Sequence, residues 1–115
     1  MSSTFHFLQG IFPFAGTGLE KPSALDPSLR WQVPEGARGQ VLYFRGGNSS
    51  GELVALVLLR SGVPMRYFPI GARGDVHVPL RVVEDVEPGE VLELHLSAPE
   101  GVLGTVVVDL GLVEV

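Results

Sequence analysis

The sequence predicts a single all-β domain, an antiparallel β-sandwich of the jelly-roll or Greek-key kind with about eight strands. Three observations lead there. Several runs alternate apolar and polar residues with the two-residue period of a strand, as in Leu92, Leu94 and Leu96 against Glu93, His95 and Ser97. The 15 glycines and 9 prolines fall between those runs, as turn punctuation does. No window longer than about ten residues carries the three-and-four apolar spacing of an amphipathic helix. At 115 residues the chain has the length of one domain.

The first thirty residues read as an irregular aromatic N-terminal arm, with residues 31–115 as the sandwich core. Four of the six phenylalanines (Phe5, Phe7, Phe12 and Phe14) lie in this arm. Residues 4–9 suit a strand, residues 16–27 suit irregular chain, and residues 23–28 suit at most one helical turn. Residues 40–45 form the first core strand, closed by Gly46-Gly47-Asn48-Ser49-Ser50-Gly51 as a loop. Residues 52–60 and 63–70 flank Ser61-Gly62, a two-residue turn that fits a tight hairpin. Pro64 and Pro69 have no N–H to give a ladder, so residues 63–70 belong at a sheet edge.

Gly71-Ala72-Arg73-Gly74 turns the chain into residues 75–83, where Val76, Val78, Leu80 and Val82 share one face. Glu87-Pro88-Gly89 precedes residues 90–97, and Ala98-Pro99-Glu100-Gly101 precedes residues 103–115. That last run puts Val106, Val108, Leu110 and Leu112 inward, with Thr105, Val107, Asp109 and Gly111 outward. Residues 53–59 are apolar on both faces, so their outer side needs cover from the arm or from another subunit. A short internal echo joins Pro34-Glu35-Gly36-Ala37-Arg38-Gly39-Gln40-Val41 to Pro69-Ile70-Gly71-Ala72-Arg73-Gly74-Asp75-Val76. Gly51-Glu52-Leu53-Val54 is matched in the same way by Gly89-Glu90-Val91-Leu92.

Composition narrows the function. Thirteen acids against eight bases give a net charge of −5 without a basic stripe, so a nucleic-acid partner is not expected. The apolar runs are too short to span a bilayer, so no membrane partner is expected. The N-terminus shows no basic region followed by an unbroken apolar stretch, and a cytoplasmic protein is the expectation. With no cysteine, disulfides, thiolate metal sites and a cysteine nucleophile are excluded. No serine sits in a nucleophile elbow, and the glycine pairs are not followed by a phosphate-binding helix. The protein is therefore expected not to be an enzyme.

Tyr43-Phe44-Arg45 in an early strand, Leu58-Leu59-Arg60-Ser61-Gly62-Val63-Pro64 as strand, glycine turn and strand, and residues 104–112 as a closing strand with an embedded acid give a family resemblance. From Val41 onward the chain resembles galactose-binding-like jelly rolls, which include many carbohydrate-binding modules. The resemblance implies a ligand-binding module that presents aromatic side chains to a carbohydrate. It also implies a structural calcium held with the help of Asp109, although no partner acids can be matched.

Two further sets of candidates come from the residues. If the runs around residues 84–89 pair as a hairpin, His77 stands opposite His95 and the two share a surface zinc with Asp75 or Glu93. The competing reading has both histidines exposed or hydrogen-bonded, and neighbouring strands of a jelly roll can also fall in opposite sheets. Interface candidates are Phe5, Phe7, Phe12 and Phe14, the two-sided run with Leu53, Ala55, Val57 and Leu59, and the edge residues Met65, Arg66, Tyr67 and Phe68. Arg45, Arg60, Arg66 and Arg81 beside aromatics fit contact patches or ordinary solvated faces. Arg73-Gly74-Asp75 reads as a turn entering a strand, and Asn48-Ser49-Ser50 as a polar turn that also matches a glycosylation acceptor. These features favour a non-catalytic assembly or structural protein, a homo-oligomer or a small subunit of a larger complex or shell. A carbohydrate-binding module is the alternative, and no cofactor is expected apart from the calcium or zinc just described.

Overall fold

The computed structural model describes residues 3–115. Nine strands follow in order: β1 (Thr4–Ala15), β2 (Gly18–Ala24), β3 (Arg30–Gln32), β4 (Gly39–Asn48), β5 (Val54–Arg60), β6 (Val63–Ile70), β7 (Asp75–Pro79), β8 (Val91–Ala98) and β9 (Leu103–Glu114). Sheet one has the order β1-β9-β4-β7, and sheet two has β2-β8-β5-β6 with β3 also on β8. The pairs β1·β9, β2·β8, β4·β7 and β5·β6 are all antiparallel. The chain is thus one long antiparallel ribbon, folded back at Ser61-Gly62 and rolled into two sheets. That arrangement is a jelly roll.

The ribbon turns where expected. Ser61 and Gly62 both have positive φ, 49° and 83°, the geometry of the two-residue turn that matches strand twist. β6 lies at the free edge of sheet two, which is where Pro64 and Pro69 require it. The core joins Leu8, Phe44, Val106, Val108, Leu110 and Leu112 of sheet one to Val54, Leu56, Leu58, Phe68, Leu92, Leu94 and Leu96 of sheet two. Each echoed unit supplies one strand to each sheet, β4 and β5 from the first, β7 and β8 from the second. The echoed strands are paired neighbours, β4 with β7 and β5 with β8.

Four expectations are corrected. Residues 4–24 are not an irregular arm, because β1 is a twelve-residue edge strand and β2 pairs with β8; residues 1–2 of the expected arm lie outside the described residues. No helical turn forms at residues 23–28; instead the Asp26 carboxylate accepts the Ser28 N–H, and the Asp26 carbonyl accepts that of Leu29. β4 continues through Gly46 and Gly47 to Asn48, and residue 46 is glycine because the Phe44 ring fills the space of a Cβ there, 2.7 Å from Cζ. β7 ends at Pro79 and the chain crosses irregularly to the other sheet, leaving Val82 69% exposed instead of inward.

The crossover at residues 80–90 is tied down by polar contacts. Gly39 and Val86 exchange backbone hydrogen bonds of 2.9 and 2.8 Å. Arg60 donates twice to Glu90, at 2.8 and 2.7 Å, and Arg66 bonds Glu84. Arg38 lies 3.7 Å from Asp85 and 3.6 Å from Glu87. Arg60 and Arg66, read as interface candidates, are therefore engaged in ion pairs within the chain.

Candidate functional site

The outer face of sheet one carries the most varied chemistry of the molecule, and register explains how. Residues paired across antiparallel strands share a face. Asp109 of β9 stands beside Gln9 of β1 and Arg45 of β4, and Arg45 stands beside His77 of β7. A polar row Gln9–Asp109–Arg45–His77 thus runs across all four strands. One row to one side are Phe7, Gly111, Tyr43 and Pro79, and to the other Ile11, Val107, Gly47 and Asp75.

The polar row is locked by hydrogen bonds. Arg45 Nη2 donates to Asp109 Oδ2 at 2.7 Å, and the Tyr43 hydroxyl donates to Oδ1 at 3.0 Å. The Arg45 guanidinium carbon lies 5.5 Å from the Tyr43 ring centre, within cation–π range. His77 meets the same ring edge-on, with centroids 6.3 Å apart. Burial, and then the Asp109 carboxylate, hold the Tyr43 phenol above its ordinary pKa. Hydrogen bonding to Asp109 raises that of Arg45 as well. Tyr43 reaches Asp109 because Gly111 leaves room; a Cβ at residue 111 would sit 2.0 Å from Tyr43 Cε2.

Beside the locked row lies an open groove of about 490 Å³, with Gly47 and Val107 as floor and Arg45, Asp75, His77 and Asp109 around it. Its lining is mostly apolar surface, with the charged and imidazole groups of Arg45, Asp75, His77 and Asp109 among it. It holds no serine beside a histidine base, and both Asp109 oxygens are already engaged by donors.

The proposed metal residues are divided by the fold. His77, Asp75 and Asp109 border this groove, but His95 lies on β8 in sheet two. The hairpin that would have set His77 opposite His95 does not form, because residues 80–90 carry the chain between sheets. His95 instead stands beside Val57 and Ala24, with Nε2 3.4 Å from Glu93. Among the described residues no three His, Asp or Glu side chains converge as a metal site.

The interface candidates also divide. Phe5 and Phe7 are 60% and 52% exposed on the outer face of β1, whereas Phe14 is buried and Phe12 half-buried on its inner face. On β5, Val57 and Leu59 are buried within the chain and Ala55 is half-buried, while Leu53, just before the strand, is exposed. The two-sided apolar run therefore needs no second subunit to cover its centre. On β6, Phe68 is buried, Met65 and Arg66 are half-buried, and Tyr67 is exposed. Phe14, Val57, Leu59 and Phe68 belong to the packing of the domain, not to its surface.

Ile11 escaped the sequence reading: it is 70% exposed on the outer face of sheet one beside Phe5, Phe7 and Val107, the last facing outward as expected. The shared odd numbering of Phe5, Phe7 and Ile11 was the available signal, hidden because Phe12 and Phe14 change face. No protein-family model matches the chain, and no curated protein matches it in sequence. Among the described residues no helix is long and apolar enough to cross a membrane.

Proposed function

We propose that the protein is a non-catalytic assembly or structural subunit that meets its partner through the outer face and free edge of sheet one. The observation that carries this reading is the exposure of Phe5, Phe7 and Ile11 together on one face of the edge strand β1. Burying three such side chains is worth roughly 1.5–3 kcal/mol each by apolar area, so leaving them in water is costly. Single exposed apolar residues are ordinary, but a row rimmed by polar groups marks a contact surface. The reading is tested by light scattering over a concentration series. Association that Phe7→Ser or Ile11→Ser weakens supports it. A wild-type chain that stays at 12.3 kDa throughout removes its homo-oligomeric form.

A ligand-binding module of the carbohydrate-binding kind is the second reading, favoured by the Tyr43, Arg45, His77 and Asp109 cluster at the groove. Pre-positioned polar groups at an aromatic ring suit a sugar's hydroxyls and apolar face. A glycan array without a hit counts against it.

A further inference from the structure

Each sheet has two free edges, and three of the four are blunted in the ways that keep strands from pairing with strangers. β6 carries Pro64, Arg66 and Pro69. β7 is five residues long, beginning with Asp75 and ending with Pro79. β2 contains Glu20, Lys21 and Pro22 and shifts register between Gly18 and Ser23. β1 differs: twelve residues, uninterrupted register against β9, and not one Asp, Glu, Lys or Arg.

The backbone of β1 can be read group by group. In an antiparallel pair, alternate residues bond the partner while those between point away. Gly16 N–H donates to Val102 O at 2.7 Å, continuing the same register as β1 on β9. On the other side of β9, Ser49 N–H donates to Thr105 O, so odd-numbered residues of β9 bond β4. Even-numbered residues of β1 thus bond β9, and the N–H and C=O groups of Phe5, Phe7, Gln9 and Ile11 point off the edge. Pro13, which has no N–H, falls on this free side as well.

We infer that β1 pairs antiparallel with β1 of a second copy, joining two four-stranded sheets into one of eight. This rests on the assembly reading above and names its partner. The strand is self-complementary about Leu8: Phe5 of one copy stands opposite Ile11 of the other, and Phe7 opposite Gln9. All four residues supply an N–H and a C=O to the new ladder. The exposed Phe5 and Ile11 meet as apolar cross-strand pairs, one at each end of the contact. Charge permits it too. Two copies of net charge −5 repel, but β1 is uncharged and Arg45 and Asp109 on the adjoining face neutralise each other. The contact is a closed twofold, the commonest arrangement of soluble oligomers.

Gln9→Pro is the discriminating variant, because it removes the off-edge donor at the centre of the contact while leaving the bonds to β9 intact. Light scattering is expected to give twice 12.3 kDa for wild type and for Gln9→Ala, and 12.3 kDa for Gln9→Pro with its β circular dichroism retained. If Gln9→Pro does not fold, Ile11→Lys gives the same readout by charging the edge. A dimer that persists in both variants overturns the β1 contact and leaves the assembly reading standing on another surface. A wild-type monomer overturns it too, and restricts the assembly reading to a different protein as partner. Open-ended growth overturns the closed twofold in favour of β1 meeting an unlike edge.

Discussion

Phe44 of sheet one and Phe68 of sheet two stack across the interior with ring centres 4.5 Å apart and planes 11° from parallel. The contact ties the edge strand β6, which has a ladder partner on one side only, to the centre of the opposite sheet. Phe68→Ala is expected to cost about 3–5 kcal/mol, as truncation of a buried aromatic does. Urea denaturation monitored by circular dichroism measures it. A loss below ~1 kcal/mol would show that β6 is held by other means.

Asn48 holds two loops together from a buried position. Its Nδ2 donates to the carbonyls of Glu52 at 2.9 Å and Gly71 at 3.2 Å, and its Oδ1 accepts from the Ser50 N–H and hydroxyl. Asn48→Asp keeps the acceptor but replaces the donor with a second oxygen facing those carbonyls. Each buried carbonyl left without a donor costs about 1–3 kcal/mol, so the near-isosteric change is expected to destabilise strongly. The same packing keeps Asn48 from glycosylation in the folded chain. Thermal melting of Asn48→Asp beside Ser49→Ala provides the check, with the second expected to lose far less.

Glu90 is expected to dominate one part of the acid titration. The Arg60 guanidinium, and then the Glu87 N–H, hold its pKa down from the ordinary 4.5 to about 2. The folded state therefore binds this proton less readily than the unfolded chain. The stability the pair contributes is complete above pH 4.5 and is lost as pH falls through about 2. Glu90→Gln is expected to be less stable than wild type at neutral pH and to show a flatter stability curve over that window. Parallel curves for the two proteins would contradict the assignment.

The ribbon's fold-back is set by Ser61 and Gly62, both at positive φ. Gly62→Ala is expected to cost about 1 kcal/mol, because a Cβ disfavours that conformation. Ser61→Asn is expected to be neutral or stabilising, since asparagine suits the first position of this turn. Chemical denaturation of both variants tests the pair of signs.

How much of this was legible follows from which residues carry a single message. Leu92, Leu94 and Leu96, and Val106 to Leu112 in alternation, have polar or small neighbours, so their inward face could be read directly. Pro64 and Pro69 announced an edge by what they lack. β1 was only half visible because its outer face is as apolar as its inner one, which erases the two-residue contrast. β2 was invisible because Gly18–Ala24 is held by backbone pairing with β8 and buries little of its own. The polar row on sheet one joins residues up to a hundred positions apart, and only the rolled ribbon brings Gln9, Arg45, His77 and Asp109 into line. The two-histidine site failed for the same reason, since adjacent strands in the sequence went to different sheets.

Amide hydrogen exchange on the full chain, at a concentration where it associates, tests the β1 contact most directly. The amides of Phe5, Phe7, Gln9 and Ile11 are expected to be protected there and to lose that protection on dilution, and those of Phe5, Phe7 and Ile11 to lose it in Gln9→Pro. Exchange at these four positions as fast as at the exposed turn glycine Gly62, and unchanged by concentration, would contradict it.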